Sequence, residues 1–329
     1  MLREWTGRLG ALGRRQLMAV GAAFASLLLI AGVGGFALVR EAADDTVDAY
    51  LAKAGLTGKR ELRIGVFTDE PLMALRDPAK PSSSLISDYT GFDIELARQL
   101  GRYLGFDEAN LIMVPTEVQN RAQDLSEGRV DVIIASYSMT KERESEVDFA
   151  GPYLMTKPEV LMRADRAPAR LTLRELGAMS AKVCTTGSST SENALRANGI
   201  AGFDGVARAT DCVNGLRSGR YDAFMLDKTV LYGFQQKYPE LRIVDLVFGQ
   251  SESYAIAVAD GNEPLRVLVG NFLYDSYQRG EQGAWAQAWR ASFAAVVKER
   301  ARQPRPRDVA VQLSDYNDRY EDERSAGGR

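Results

Sequence analysis

The chain contains no histidine. That absence excludes a Ser-His-Asp triad, a Cys-His dyad and every histidine-based metal site. Only two cysteines occur, Cys184 and Cys212. Two are too few for a structural zinc site, and their spacing is not the Cys-x-x-Cys of a redox pair. There is no basic excess either: the formal net charge is −3, which argues against a nucleic-acid partner. No acid/base set stands out, and neither a cofactor nor a metal is expected. The sequence offers little for hydrolytic chemistry and does not read as an enzyme.

Charge is also missing from one long stretch. Leu17 to Val39 is 23 residues without a charged side chain. As a helix it would span roughly 35 Å, enough for a bilayer core. Arg3, Arg8, Arg14 and Arg15 precede it, and Glu41, Asp44 and Asp45 follow it. By the positive-inside rule, residues 1–16 form a basic cytoplasmic N-terminus and the body lies outside. The expectation is an N-terminal transmembrane helix over 17–39, hence a single-pass protein of the cell membrane. A signal segment, with secretion after cleavage, fits the same basic head and apolar run. The match of Gly13–Leu17 to a twin-arginine signal is weak. No cysteine follows the run, which excludes a lipoprotein anchor. Outside the cell, Cys184 and Cys212 most simply form a disulfide.

What is present begins with an α/β rhythm. Arg63–Val66 reads as a strand, and apolar residues at helical spacing run from Gly91 through Leu100 and Leu104. Leu111–Val114 is the next strand, Ala122–Glu127 a short helix, and Val130–Ala135 a buried strand. This order predicts a parallel sheet with helices on both faces. A second unit begins near Leu173. Val183–Thr186 runs into Gly187–Ser188–Ser189–Thr190 and a helix from Ser191, and Tyr221–Asp227 is a strand with an acidic end. Glu159–Arg163, Arg242–Val244 and Ser253–Val258 read as further strands, and Glu263 to about Lys298 is helical by period.

The chemistry concentrates in Gln119 to Tyr153, QNRAQDLSEGRVDVIIASYSMTKERESEVDFAGPY. The Val130–Ala135 strand ends in Ser136 and Ser138, alternate hydroxyls that point to one side. Arg143 follows shortly after. A guanidinium beyond a strand's carboxyl end suits a carboxylate, which it can hold by two parallel bonds. The bland reading is a solvated arginine in a charged run.

The pattern Ser136, Ser138, Thr140-x-x-Arg143, then Val147–Asp148–Phe149-x-x-Pro152–Tyr153, resembles the polar amino-acid solute-binding proteins of ABC importers (family 3 of the periplasmic-type binding proteins). The resemblance covers roughly residues 60 to 295. It implies a two-lobed periplasmic-binding-protein-like fold with two crossover strands. The domain map that follows is a linker over 40–60, lobe 1 over 61–162 and 253–299, lobe 2 over 163–252, and a disordered charged tail over 300–329. In that family, residues at the positions of Arg143 and Asp227 hold the two backbone charges of an amino acid. Ser188, Ser189 and Thr190 share a strand-to-helix turn whose backbone N–H groups favour an anion. Asp227 also reads as the cap of the helix after it.

Arg121, in Gln119–Asn120–Arg121, resembles the Asn-Arg signature of the glutamate/aspartate-binding members, where the arginine meets the side-chain carboxylate. A second buried cation calls for a second ligand anion; otherwise Arg121 is a surface residue. Arg76 is a further candidate for the pocket, and Phe67 and Tyr89 are either its aromatic wall or core. The resemblance therefore implies an extracytoplasmic binding protein for L-glutamate or L-aspartate serving ABC permease subunits. A membrane-anchored sensor reporting to a signalling protein uses the same pocket. A cyclohexadienyl-dehydratase-like enzyme is a third reading of the fold.

Overall fold

The computed structural model describes residues 46–179, 181–248, 251–298, 301–307 and 313. The apolar segment 17–39 lies outside the described residues. Among the described residues no helix is long and apolar enough to cross a membrane. The chain divides into two compact units, and the one comprising Tyr50–Gln312 holds the whole α/β body.

That body has two lobes, each around its own sheet. In the first sheet the order is β5 (Leu111–Pro115), β1 (Leu62–Val66), β6 (Val132–Ile133), β14 (Glu252–Ala259), β7 (Val147–Thr156). In the second it is β11 (Phe203–Val206), β10 (Val183–Thr186), β12 (Ala223–Asp227), β8 (Pro158–Arg163), β13 (Leu241–Val247), β9 (Arg170–Thr172). The sheets are mixed rather than purely parallel. β14 runs antiparallel to β6 and β7, and β8 runs antiparallel to β12 and β13. These are the strands that arrive from the other lobe, so each enters its new sheet against the local direction. β7 passes into β8 with only Lys157 between them. The first crossing therefore falls at Lys157, and Glu159–Met162, expected in lobe 1, pairs wholly within the second sheet.

Local chemistry accounts for the elements. β1 and β12 are short, apolar and buried almost throughout, as central strands covered on both faces must be. The helix Leu173–Ala178 begins with a reciprocal capping box between Thr172 and Glu175. The helix Phe92–Tyr103 starts at Gly91, whose φ is 125°. A Cβ there would lie 2.3 Å from the Met73 carbonyl oxygen, so only glycine fits. The C-terminal helix Ala284–Ser292 closes lobe 1 with stacked rings. Trp285 and Trp289 lie 5.3 Å apart, and both meet Phe92 edge-on. Cys184 and Cys212 form a disulfide that ties β10 to the helix Ala209–Ser218.

Two further expectations are corrected. The strand expected over Val130–Ala135 reduces to Val132–Ile133. Past Ile134, whose N–H still donates to the Gly65 carbonyl, the backbone turns to side chains: the Ala135 carbonyl accepts from Arg121 and the Ser136 N–H donates to Asp93. The tail is not disordered from its start. Residues 301–307 lie along lobe 1, with the Gln303 amide bonded to the Leu273 carbonyl and the Arg307 N–H to the Gly151 carbonyl. Two prolines stiffen this segment, and Pro306 is buried. Residues 308–312 and 314–329 lie outside the described residues.

Candidate functional site

Every parallel strand near the middle of the body ends toward one cleft, where open α/β sheets carry their ligand sites. The cavity there is narrow, with a volume of about 30 Å³. Lobe 1 lines it with Phe67 after β1, Glu70 in β2 (Asp69–Glu70), Val118 and Arg121 after β5, Ser136, Ser138 and Arg143 after β6, and Tyr254 in β14. Lobe 2 contributes Thr186 at the end of β10, Ser189 and Thr190 after it, and Leu226, Asp227 and Val230. The structure thus brings together Arg121, Ser136, Ser138, Arg143, Ser189, Thr190 and Asp227. Ser188 stands apart: it lines an outer groove that shares Ser138, Arg143 and Thr190 with the cavity.

Arg143 is held by two backbone carbonyls. One Nη donates to the Ser138 carbonyl at 3.0 Å, and the other reaches across the cleft to the Ser188 carbonyl at 3.2 Å. It makes no ion pair among the described residues. Arg121 is more constrained. It is 2% exposed and lies flat on the Tyr137 ring, 3.7 Å from its centroid. Its guanidinium donates to the carbonyls of Ala135 at 2.9 Å and Val118 at 3.3 Å. It too forms no ion pair among the described residues. Burial, with the Arg143 cation nearby, pulls its pKa down to about 9, so the group is cationic at neutral pH.

One acid stands on the opposite wall. Asp227 ends β12 and is 6% exposed. Its Oδ2 accepts from the Tyr254 hydroxyl, while its Oδ1 is buried without a partner. Burial, then the Glu252 charge, raises its pKa to about 8 against the Tyr254 hydrogen bond. Asp227 stands at the N-terminus of the helix Lys228–Lys237, yet no side-chain capping bond forms. The plain capping role fails, and Asp227 is among the residues that line the cavity.

Two buried acids were invisible in the sequence reading. Asp93 sits in the first turn of the helix Phe92–Tyr103, where it passes for a dipole-stabilising residue. It accepts instead from the Ser136 N–H at 2.9 Å and the Tyr153 hydroxyl at 3.0 Å, and burial raises it to about 7. These bonds hold Ser136 at a φ of 44°, costly for a residue with a Cβ. Glu70 lines the cavity and accepts from Ser136 Oγ at 3.1 Å. Burial first, then the charges of Asp69 and Asp93, push it well above the usual carboxylate range. Thr-Asp-Glu-Pro reads in sequence as an ordinary acidic turn, so only the cover of the second lobe reveals it.

The expected anion seat at the glycine-serine turn is largely occupied by the chain itself. The Gly187 N–H donates to the Val206 carbonyl, and the Ser188 N–H to Glu192 at 2.5 Å. Ser189 caps the helix Thr190–Ala197, accepting from the Glu192 N–H. Thr190 donates to Glu252 at 2.8 Å, as does Ser138 from the other lobe at 2.5 Å. Of the other candidates, Phe67 joins the cavity wall. Tyr89 does not, because its hydroxyl is spent on the Ser83 carbonyl. Arg76 lies beside Tyr89 in the small hairpin sheet and is absent from the cavity lining.

The lobes also meet beside the cavity. Asp69 accepts from the Thr210 N–H at 2.9 Å and its hydroxyl at 2.8 Å. It caps from across the cleft the helix Ala209–Ser218, whose own N-cap residue, Arg208, makes no capping bond. Next to it, Gly233 accepts Pro71 so closely that a Cβ would sit 1.8 Å from the Pro71 carbonyl oxygen.

Residues 62–292 match the bacterial extracellular solute-binding proteins, family 3. The chain belongs to this family. It is 27% identical over 240 residues to the ABC transporter glutamine-binding protein GlnH of Bacillus subtilis, covering 73% of this chain and 84% of that one. It is 29% identical over 188 residues to the glutamate-binding protein GluB of Corynebacterium efficiens, covering 56% and 61%. Among solved structures, the solute receptor for L-cysteine of Neisseria gonorrhoeae superposes with a TM-score of 0.67 at 24% identity. That likeness covers 77% of this chain and 99% of the receptor and establishes the two-lobed fold.

Proposed function

We propose that this family 3 protein binds an amino acid with an acidic side chain, L-glutamate or L-aspartate, and delivers it to the permease of an ABC importer. Arg143 takes the α-carboxylate as a fork, with Ser138 and Thr190 beside it. Asp227 takes the α-ammonium on its unpartnered Oδ1. One observation carries the step from amino acid to acidic amino acid. Arg121 is buried at 2% exposure with no ion pair among the described residues, in a cavity that already holds a cation for the backbone carboxylate. A second buried cation is tolerated when the ligand brings a second anion, since an unpaired buried charge costs several kcal/mol. Glutamate- and glutamine-binding relatives at 29% and 27% identity are in keeping with a ligand of this size.

A sensor role rests on one separate observation. The charge-free run 17–39, with no cysteine after it, has the makings of a permanent single-pass anchor, and a tethered binding domain can report occupancy to a membrane partner. Import and sensing share the ligand chemistry.

Calorimetry on the full-length chain in mild detergent at pH 6 tests the ligand. Glutamate or aspartate should bind at one site at least tenfold tighter than glutamine, lysine or histidine. Arg143→Ala should abolish binding. A preference for a cationic amino acid would overturn the role given to Arg121.

A further inference from the structure

Glu70 is not used by the backbone charges of the ligand, yet it shares the cavity with Arg121. The two side chains are held by consecutive residues at the end of β6. Arg121 donates to the carbonyl of Ala135 at 2.9 Å, and Ser136 donates its hydroxyl to Glu70 at 3.1 Å. Neither forms an ion pair among the described residues. With Arg143 and Asp227 assigned to the two α-charges, Arg121 and Glu70 are the two groups left to meet a ligand side chain.

That pair has two useful states. A neutral carboxylic acid donates one hydrogen bond, and Arg121 donates more, so together they present donors to a carboxylate. An ionised Glu70 accepts only. It then complements an amide N–H2 while Arg121 binds the amide oxygen, and the two protein charges cancel.

We propose that the Glu70–Arg121 pair sets side-chain selectivity through a single proton: with Glu70 as the neutral acid the pocket takes a carboxylate side chain, and with Glu70 ionised it takes the amide. The inference rests on the amino-acid reading above and deepens it.

The surroundings favour the neutral acid. Burial, then Asp69 and, where they are ionised, Asp93 and Asp227 hold the proton on Glu70 against the Ser136 hydrogen bond. Asp69 lies next in the chain, Asp93 comes from the helix behind Ser136, and Asp227 from the other lobe. Arg121 is the facing cation, and the Tyr153 and Tyr254 hydroxyls complete the charged and titratable neighbours. A ligand carboxylate adds one more negative charge and strengthens the hold. An amide does not.

The test is the ratio of two affinities. Glutamate and glutamine differ only at the end of the side chain. Titration of Asp227, and of the ligand's own ammonium, acts on both alike and cancels in the ratio. The glutamate side chain itself is ionised, and Arg121, at about 9, stays cationic, throughout the range from about pH 5.5 to 7.5. Calorimetric competition on the full-length chain should therefore show the glutamate-to-glutamine affinity ratio falling at least tenfold across that range. One linked proton permits at most tenfold per pH unit. Glu70→Gln fixes a neutral donor in place. It should still prefer glutamate, its ratio should no longer change with pH, and a thermal melt of the same sample confirms the fold. A wild-type ratio that is flat with pH, while both ligands bind, would overturn the inference and leave the amino-acid reading standing. So would a Glu70→Gln variant that keeps the wild-type slope, since Asp93 would then own the proton. Failure of every amino acid to bind would overturn the reading beneath it, and the inference with it.

Discussion

Asp227 should trade stability for binding, and the exchange can be sized. Its pKa is about 8 in the fold, raised from 3.8 by burial first and then by Glu252. The folded state thus holds this proton more tightly than the unfolded chain. Its contribution is fully present below pH 3.8 and is lost as pH rises toward 8. At pH 7 the carboxyl costs the fold about 4 kcal/mol, at roughly 1.4 kcal/mol per pH unit between the two values. Asp227→Asn removes that cost and keeps an oxygen for the Tyr254 hydroxyl. It leaves an amide N–H2 where the unpartnered Oδ1 stood, at about 1–3 kcal/mol. The expected net gain is about 1–3 kcal/mol at pH 7, a rise in Tm of about 2–4 °C for each kcal/mol. The gain should shrink toward zero or reverse near pH 4. The same change removes the anion that meets the α-ammonium. Losing one member of a buried charge pair costs about 2–5 kcal/mol, a loss of affinity of roughly 30-fold or more. Thermal melts at pH 4.5, 7 and 8, with calorimetry on the same samples, read both effects. A variant that melts below wild type at pH 8, or that binds glutamate within threefold of wild type, would refute the reasoning.

Other expectations are simpler. Reducing the Cys184–Cys212 disulfide, which closes a loop with a sequence separation of 28, should cost about 3.5 kcal/mol on the chain-entropy account; chemical denaturation with and without reductant measures it, and an unchanged midpoint would contradict a structural role. Asp69→Ala removes the cross-cleft cap of the helix Ala209–Ser218. Small-angle scattering should then show a larger radius of gyration than wild type, with a smaller difference once glutamate saturates the site; identical curves would show that this contact does not hold the lobes.

Where a cavity-lining side chain sits directly behind a strand, its place was legible in the sequence. Ser136 and Ser138 end an apolar run, Asp227 ends another, and Ser189 opens a helix after a third. In each case the hydrophobic period and the polar residue lie within a few positions of each other. Glu70, Asp93 and Tyr254 were not legible, because what makes them unusual is burial by distant chain. Asp93 needs Ser136, 43 residues on, to become more than a first-turn acid. The turn at Ser188 misled for the opposite reason. Glu192 reads as a favourable charge in a helix's first turn, but its carboxylate reaches back and takes the Ser188 N–H that a ligand was expected to use. The crossing at Lys157 was hidden too. β7 and β8 follow one another with a single residue between them, and the polar step Thr156–Lys157–Pro158–Glu159 does not say on which side of it the chain changes sheets.

The protonation states link recognition to closure. Asp227 at about 8 and Asp93 at about 7 are acids whose charge the folded body resists, and Glu70 is held higher than usual for the same reason. In each case burial is the first cause, and for the cavity acids that burial is supplied by both lobes together. A ligand ammonium beside Asp227 reverses the balance, since a nearby cation favours the ionised form. The affinity contributed by this contact should therefore rise with pH through about 8 for any amino acid, acidic or amide. The attraction is strong only where water is excluded, that is, with Arg143 reaching Ser188 and Asp69 reaching Thr210 across the cleft. A ligand can shift the lobes only by binding one arrangement better than another. The closed one offers Arg121 and Arg143 from one lobe and Asp227 from the other at low dielectric, and an open one would hand the same charges to water. The two α-charges would thus drive closure, and the Glu70–Arg121 pair, reading the side chain, would select which amino acids produce it.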